Sequence, residues 1–277
     1  MRKILFLALT LCIASCSTNS SSDSSNTGTN PAADQNYFPL GATDYWVYEV
    51  NQAPSATVRR DSLYVNGPIS FPNNANVYNK LSNKNTPWGF FSTCMNNNGL
   101  RKVNNRMLLT GTIAFDVLNT GTPISLDVTD FAFFSQETAA GTQMSTKSGT
   151  FTQTVSNIPL TINYTLTTTA MADESNFTVP GTTTTYPLVK KVNTTLQMQI
   201  NASISTPIGA LTASVLDSQK VVDSKQYYVA NKGNVFTTTH IVYNMNQQTL
   251  SLLPSTTTLP FPTSNDITQT ERLVKPF

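Results

Sequence analysis

After Tyr37, apolar and polar residues alternate along most of the chain, and a period of two suits only an extended strand with one face buried and the other wet. In the run 192–201, Val192, Thr194, Leu196, Met198 and Ile200 share one parity, while Asn193, Thr195, Gln197, Gln199 and Asn201 take the other. Leu160–Thr167 repeats the pattern, and Tyr45–Val50, Thr57–Val65, Thr112–Leu118, Ser125–Phe134, Val221–Ala230 and Val235–Tyr243 follow it less cleanly. The pattern predicts an all-β, mainly antiparallel fold. Threonine fills many outward positions, where its β-branched carbon suits the pleat and its hydroxyl keeps that face wet without charge. Several runs reach about eight to ten residues, longer than the usual five or six. Such length favours one large, strongly curved sheet, a carrier-like half-open barrel, over the alternative of a β-sandwich.

The punctuation agrees with strands. Trp88–Met95, the polar stretch Asn96–Gly99 and then Leu100–Leu109 predict a hairpin closed on Asn98-Gly99, a pair that tolerates the positive φ of a type I′ turn. Gly67-Pro68, Pro180-Gly181, Thr206–Gly209 and Lys232-Gly233 mark further turns. No stretch carries a capped apolar stripe of helical period, and the nearest to one is a short turn around Leu211–Leu216.

The first residues follow a different logic. Met1-Arg2-Lys3, the apolar run Ile4–Ile13 and the small residues Ala14-Ser15 before Cys16 form a signal peptide over residues 1–15. The apolar run is about half the ~20 residues needed to span a bilayer. Ile13-Ala14-Ser15-Cys16 resembles the lipobox of bacterial lipoprotein precursors. That resemblance implies that the Cys16 thiol is acylated, that cleavage makes Cys16 the first residue, and that its acyl chains are the anchor. Residues 16–36 hold the lipidated Cys and a Ser/Thr/Asn-rich tether, whose typical reach is about 25 Å. A single β domain then occupies 37–277. The first acid after Cys16 is Asp23, which points to a periplasm-facing place on the outer membrane.

Removing residues 1–15 takes Arg2 and Lys3 from the 17 basic residues and leaves 15 against 15 acids, so no basic surface for nucleic acid is expected. Of the three cysteines, Cys12 leaves with the signal and Cys16 is acylated, so Cys94 remains alone, without a disulfide or a zinc cluster. No cofactor motif is present.

Tyr37-Phe38-Pro39-Leu40, followed by Trp46-Val47-Tyr48, is similar to the opening of many uncharacterised lipoproteins of the Bacteroidota, flavobacteria especially. Tyr227–Val235 is similar to their aromatic strand, glycine turn and returning strand. The resemblance implies an envelope lipoprotein and brings no activity with it.

Among candidate site residues the aromatics lead. Trp88, Phe90 and Phe91, with Phe131, Phe133 and Phe134, place aromatics on both parities of a strand, which must then be covered twice or line a cavity. Trp88, Phe90, Phe91, Phe131 and Phe133 are the expected ligand-contacting residues, for an apolar ligand or a sugar face. His240 reads as a solvated strand residue with no nucleophile elbow elsewhere. Asp173-Glu174 lies in a turn-like segment, and Asp127 and Asp130 flank a strand bend. Neither pair converges as acid–base chemistry requires. Cys94 reads as a small buried hydrophobe, and Asp61-Ser62-Leu63 matches a short O-glycosylation pattern at Ser62. The expectation is a monomeric, non-catalytic outer-membrane lipoprotein whose concave β surface binds an apolar or amphiphilic ligand, or alternatively a glycan-binding or protein-interaction module.

Overall fold

The alternation becomes, in the computed structural model, a single antiparallel sheet of twelve strands among the described residues, which are 35–55, 57–117, 123–155, 158–206, 209–251 and 262–276. The signal peptide, Cys16 and tether residues 17–34 lie outside them. The strands are β1 Tyr45–Ala53, β2 Val58–Ser70, β3 Val77–Asn83, β4 Gly99–Val103, β5 Arg106–Phe115, β6 Ile124–Ser135, β7 Gln143–Val155, β8 Ile158–Thr178, β9 Thr185–Thr206, β10 Gly209–Val229, β11 Gly233–Asn244 and β12 Ser264–Pro276. Among the described residues two short helices, α1 Phe90–Met95 and α2 Gln247–Ser251, complete the element order. Spatially the order runs from β6 down to β1, across to β12 and down to β7, so β1 and β12 pair and the two free edges are β6 and β7. The sheet is nearly closed into a barrel, and the β-sandwich alternative falls.

Where the edges meet, side chains take over from the ladder. Ala132 N donates to Ser145 Oγ at 2.8 Å, and Thr168 Oγ1 donates to Ala132 O at 2.6 Å. Replacing both (Ser145→Ala, Thr168→Val) leaves both backbone groups of a buried residue without these partners. The expected loss is about 2 kcal/mol in a denaturant titration, with faster hydrogen exchange at the Ala132 amide.

An eight-stranded barrel is just wide enough for its own side chains to fill. Twelve strands enclose more space, and this chain fills it from both ends. At the end where β1 begins, Phe38 packs between Trp46 (5.2 Å between ring centroids), Phe133 (5.7 Å) and Tyr228 (6.3 Å), and Tyr37 lies on Phe134 (5.6 Å). The Tyr37–Leu40 segment is thus an aromatic cork. Asn231 N donates to Asn36 O, tying the chain's entry to the β10–β11 turn, where Gly233 takes φ +85° with the Trp46 indole against it. Trp46 Nε1 also donates to Lys232 O at 2.7 Å.

Several expectations change. The predicted hairpin on Asn98-Gly99 is instead α1 followed by β4. Its aromatics occupy both parities because they sit on a buried helix, and Phe90, Phe91, Ser92, Cys94 and Met95 are all buried. Asn98 links elements rather than turning the chain: its Nδ2 donates to Cys94 O and Thr112 O, and its Oδ1 accepts from Thr112 N. Leu211–Leu216 lies in β10, where a bulge between Ser214 and Leu216 buries both Val215 and Leu216 and imitates a helical spacing. Gly67-Pro68 is likewise a register shift inside β2, not a turn. Asp173-Glu174 belongs to β8, beside a bulge, and pairs with Lys190 (2.6 Å) and Lys191 (3.0 Å) of β9. The strands β8, β9 and β10 run 21, 22 and 21 residues, twice the predicted length, and β3, β7 and β12 emerge where no strand was expected.

The far part of the β8–β9 hairpin lies on the outer face. Phe177 stacks on Tyr227 at 4.5 Å, and with Val179, Val189, Val229, Val235 and Phe236 it makes a second small core. Arg272 Nη1 donates to Gly181 O at 3.0 Å, and its Nη2 pairs with Glu49, holding that turn against β12 and β1.

Candidate functional site

Between β3 and β4 the chain turns into the barrel, and α1 forms there. A helix leaves its first N–H groups without internal partners, and the position before α1 is Gly89, which has no side chain to cap them. The barrel wall supplies the acceptors instead. Trp88 N donates to both carboxylate oxygens of Asp61 (3.0 Å each) and Gly89 N to Asp61 Oδ2 (2.7 Å). Phe90 N donates to Gln269 Oε1 (2.6 Å), Phe91 N to Glu271 Oε1 (2.5 Å) and Ser92 N to Glu271 Oε2 (3.0 Å). Five consecutive backbone donors, Trp88 to Ser92, are therefore held by one side chain of β2 and two of β12.

Asp61 is 4% and Glu271 1% exposed, and no Lys or Arg pairs with either among the ion pairs of the described residues. The helix N-terminus is their compensating charge. Burial, opposed by hydrogen bonds from Ser92 and the Phe91 and Ser92 amides and reinforced by the nearby Asp61 charge, pushes the Glu271 carboxyl up to about 7. Burial also pushes the Cys94 thiol and the Tyr228 phenol up; Cys94 is buried, but on α1 rather than on the strand whose parity predicted it.

Behind α1 the wall is polar along one cross-strand row. Thr168, Thr194, Ser224, Thr239, Gln269 and Gln52 are successive register partners from β8 to β1. The neighbouring row holds Gln226, Thr237 and Glu271. Their hydrogen bonds link up: Thr194 Oγ1 donates to Gln226 Oε1, Gln226 Nε2 to Ser224 Oγ, and Ser224 meets Thr239 at 2.8 Å.

Four of the five predicted aromatics converge. Phe90, Phe91, Phe131 and Phe133, with Leu109, Leu166 and Tyr228, line an inner cavity of about 30 Å³, room for about one water-sized group. Trp88 does not reach it. It lies half-buried under Arg59, whose guanidinium carbon is 4.6 Å from the ring centroid, and lines a separate cleft at the mouth opposite the cork. That cleft has a volume of about 640 Å³, within the range of small-molecule sites. Gln52, Thr93, Asn96, Asn97, Asn265 and Asp116 face it beside Trp88, Phe90, Ile241 and Ile267. Phe90 is the residue common to both linings.

The other candidates sit apart from both spaces. His240 is exposed on the outer face with Nε2 2.8 Å from Asp266 Oδ1. Asp130 does mark a strand bend, at φ +48°, and its carboxylate is held by Arg101 (2.8 and 2.9 Å) and by the Tyr78 hydroxyl (2.7 Å). These contacts keep it below the usual carboxylate range. Ser62 lies half-buried on the outer side of β2 while Asp61 points inward.

Sequence reasoning missed Asp61, Gln269 and Glu271 as the groups that hold α1. A signal existed: Asp61 shares parity with Leu63 and Val65, and Gln269 and Glu271 share it with Ile267 and Leu273, so each is a polar residue on an apolar face.

Fold and interior together define a near-closed antiparallel barrel with one corked end and one open, amphiphilic mouth. In comparisons with known proteins, the chain matches no family model, no curated protein and no solved structure at a significant level.

Proposed function

We propose that this protein is a non-catalytic, lipid-anchored monomer of the outer membrane, facing the periplasm, that binds an amphiphilic ligand at the open mouth of its barrel. The observation that carries the reading is the cleft of about 640 Å³ in which Trp88 and Phe90 stand beside the amides of Gln52, Asn96, Asn97 and Asn265. An apolar wall with a few placed polar groups is how a site takes a molecule with two chemistries. The inner cavity is too small to serve a wholly apolar ligand without rearrangement. The described chain enters the barrel at the corked end, away from this mouth. The alternative, a glycan-binding module, is favoured by one feature, a tryptophan beside several amides, since sugars stack on indole and hydrogen-bond to amides.

Two measurements test the proposal. The full chain is expected in the detergent phase of a membrane extract, and Cys16→Ser is expected to release it to the soluble fraction; a soluble wild-type protein removes the anchor. Organic extracts of purified protein are expected to contain a co-purifying amphiphile near one-to-one, reduced at least tenfold by Trp88→Ala. A clean extract from folded protein counts against the carrier reading.

A further inference from the structure

Phe90 stands between two spaces of different chemistry and is the one residue shared by their linings among the described residues. On its outer side is the amide-rich cleft. On its inner side are Phe91, Leu109, Phe131, Phe133 and Leu166, the apolar heart of the barrel. The ring is 5% exposed, and its backbone N–H is held by Gln269 Oε1 at 2.6 Å. Only a displaced Phe90 ring would join the small inner cavity and the cleft into one passage. That passage has a polar entrance and an apolar floor.

The entrance also has a sign. Asp116 is the charged side chain in the cleft lining, and no Lys or Arg contributes to it among the described residues. A carboxylate or phosphate headgroup would meet Asp116 in the lining, and Arg59, beside the cleft, is already stacked on the Trp88 ring. Hydroxyls find the amides of Gln52, Asn96, Asn97 and Asn265, the hydroxyls of Thr86 and Thr93, and the Trp88 ring.

We infer that the mouth takes a single-chain amphiphile with a neutral, hydroxyl-rich headgroup, which sits against Trp88 while its chain passes Phe90 into the barrel interior. This deepens the ligand reading above and rests on it. Headgroup and chain use different residues, so each can be tested by itself.

The experiment is isothermal titration of the mature chain carrying Cys16→Ser with glucose, hexyl, heptyl and octyl glucoside and octanoate, each below its micelle concentration. Each further methylene that enters the interior is expected to tighten binding about fourfold, following ~0.8 kcal/mol per buried methylene. Octyl glucoside is expected to bind at least tenfold tighter than octanoate. Phe90→Trp, which enlarges the partition, is expected to flatten the chain-length series. Affinity that does not change from glucose to octyl glucoside overturns the passage while leaving the cleft as a sugar site. Octanoate binding as well as octyl glucoside overturns the neutral headgroup. Failure of every probe to bind overturns this inference together with the ligand reading on which it rests. The wild-type series needs no variant, so a misfolded Phe90→Trp does not remove the test.

Discussion

Glu271→Gln is expected to abolish most of the pH dependence of stability between pH 5 and 8. The wild-type carboxyl has a folded-state value of about 7 against an ordinary 4.5, so across that interval the folded protein binds more protons than the unfolded chain. Stability therefore falls as pH rises through the window, because the carboxylate must then be charged inside the barrel. The shift amounts to about 3 kcal/mol lost between pH 4.5 and pH 8, at ~1.4 kcal/mol per unit. Glutamine stays neutral and keeps one oxygen acceptor, for the Phe91 amide, while its NH2 takes the place of the oxygen that accepts from Ser92 N, so it removes the titration and one acceptor together. The variant's stability should be nearly level from pH 5 to pH 8, while that of the wild type falls across the same interval. Guanidinium titrations at four pH values measure this directly. Parallel wild-type and variant profiles would show that Glu271 stays charged throughout the window. Asp130 does not confuse the result: its carboxyl is held below the ordinary range, so its contribution is present above about pH 4 and is lost only as pH falls below that.

The barrel was legible because its signal is local and repeated. Val192 to Asn201 states its two faces residue by residue, and the hairpins at Pro180-Gly181 and Lys232-Gly233 are marked by their own turn chemistry. Lengths were misjudged for the opposite reason. The bulges at Met171/Glu174 in β8 and at Ser214/Leu216 in β10 break parity in the middle of a strand, and a period-two reading stops there although the ladder continues. The site was half legible. Phe90, Phe91, Phe131 and Phe133 announce a crowded interior by composition, but that the first two ride on a helix depends on Asp61, Gln269 and Glu271. Of these, Glu271 is 180 residues away from the amide it holds. A six-residue helix is too short to be stable by propensity, so its own sequence carries little signal. The partition of interior space between a cavity and a cleft is more remote still, since it depends on how twelve strands close.

That dependence makes Gly89 the position where one methyl group should do most harm. Its φ is an ordinary −71°, so backbone strain is not the issue. The Glu271 carboxylate lies where a Cβ would stand, with its Oε2, Cδ and Cγ the nearest atoms. The neighbour cannot give way cheaply, because those same oxygens hold the amides of Phe91 and Ser92 and the Ser92 hydroxyl. Gly89→Ala must therefore move either α1 or the carboxylate, and either movement leaves buried N–H donors or a buried charge without partners. The expected cost is about 3 kcal/mol, or a fall in midpoint temperature of roughly 6–12 °C for a domain of this size. A double-mutant cycle separates crowding from a generic helix effect. In a Glu271→Ala background the methyl group meets empty space, so Gly89→Ala should then cost less than about 1 kcal/mol, a coupling of about 2 kcal/mol. Equal costs in both backgrounds would show that α1 is not seated on Glu271. The same variant bears on the mouth, because Trp88 and Phe90 flank Gly89 and both line the cleft. A helix lifted from its latch should also disturb the partition that Phe90 forms between the cleft and the inner cavity.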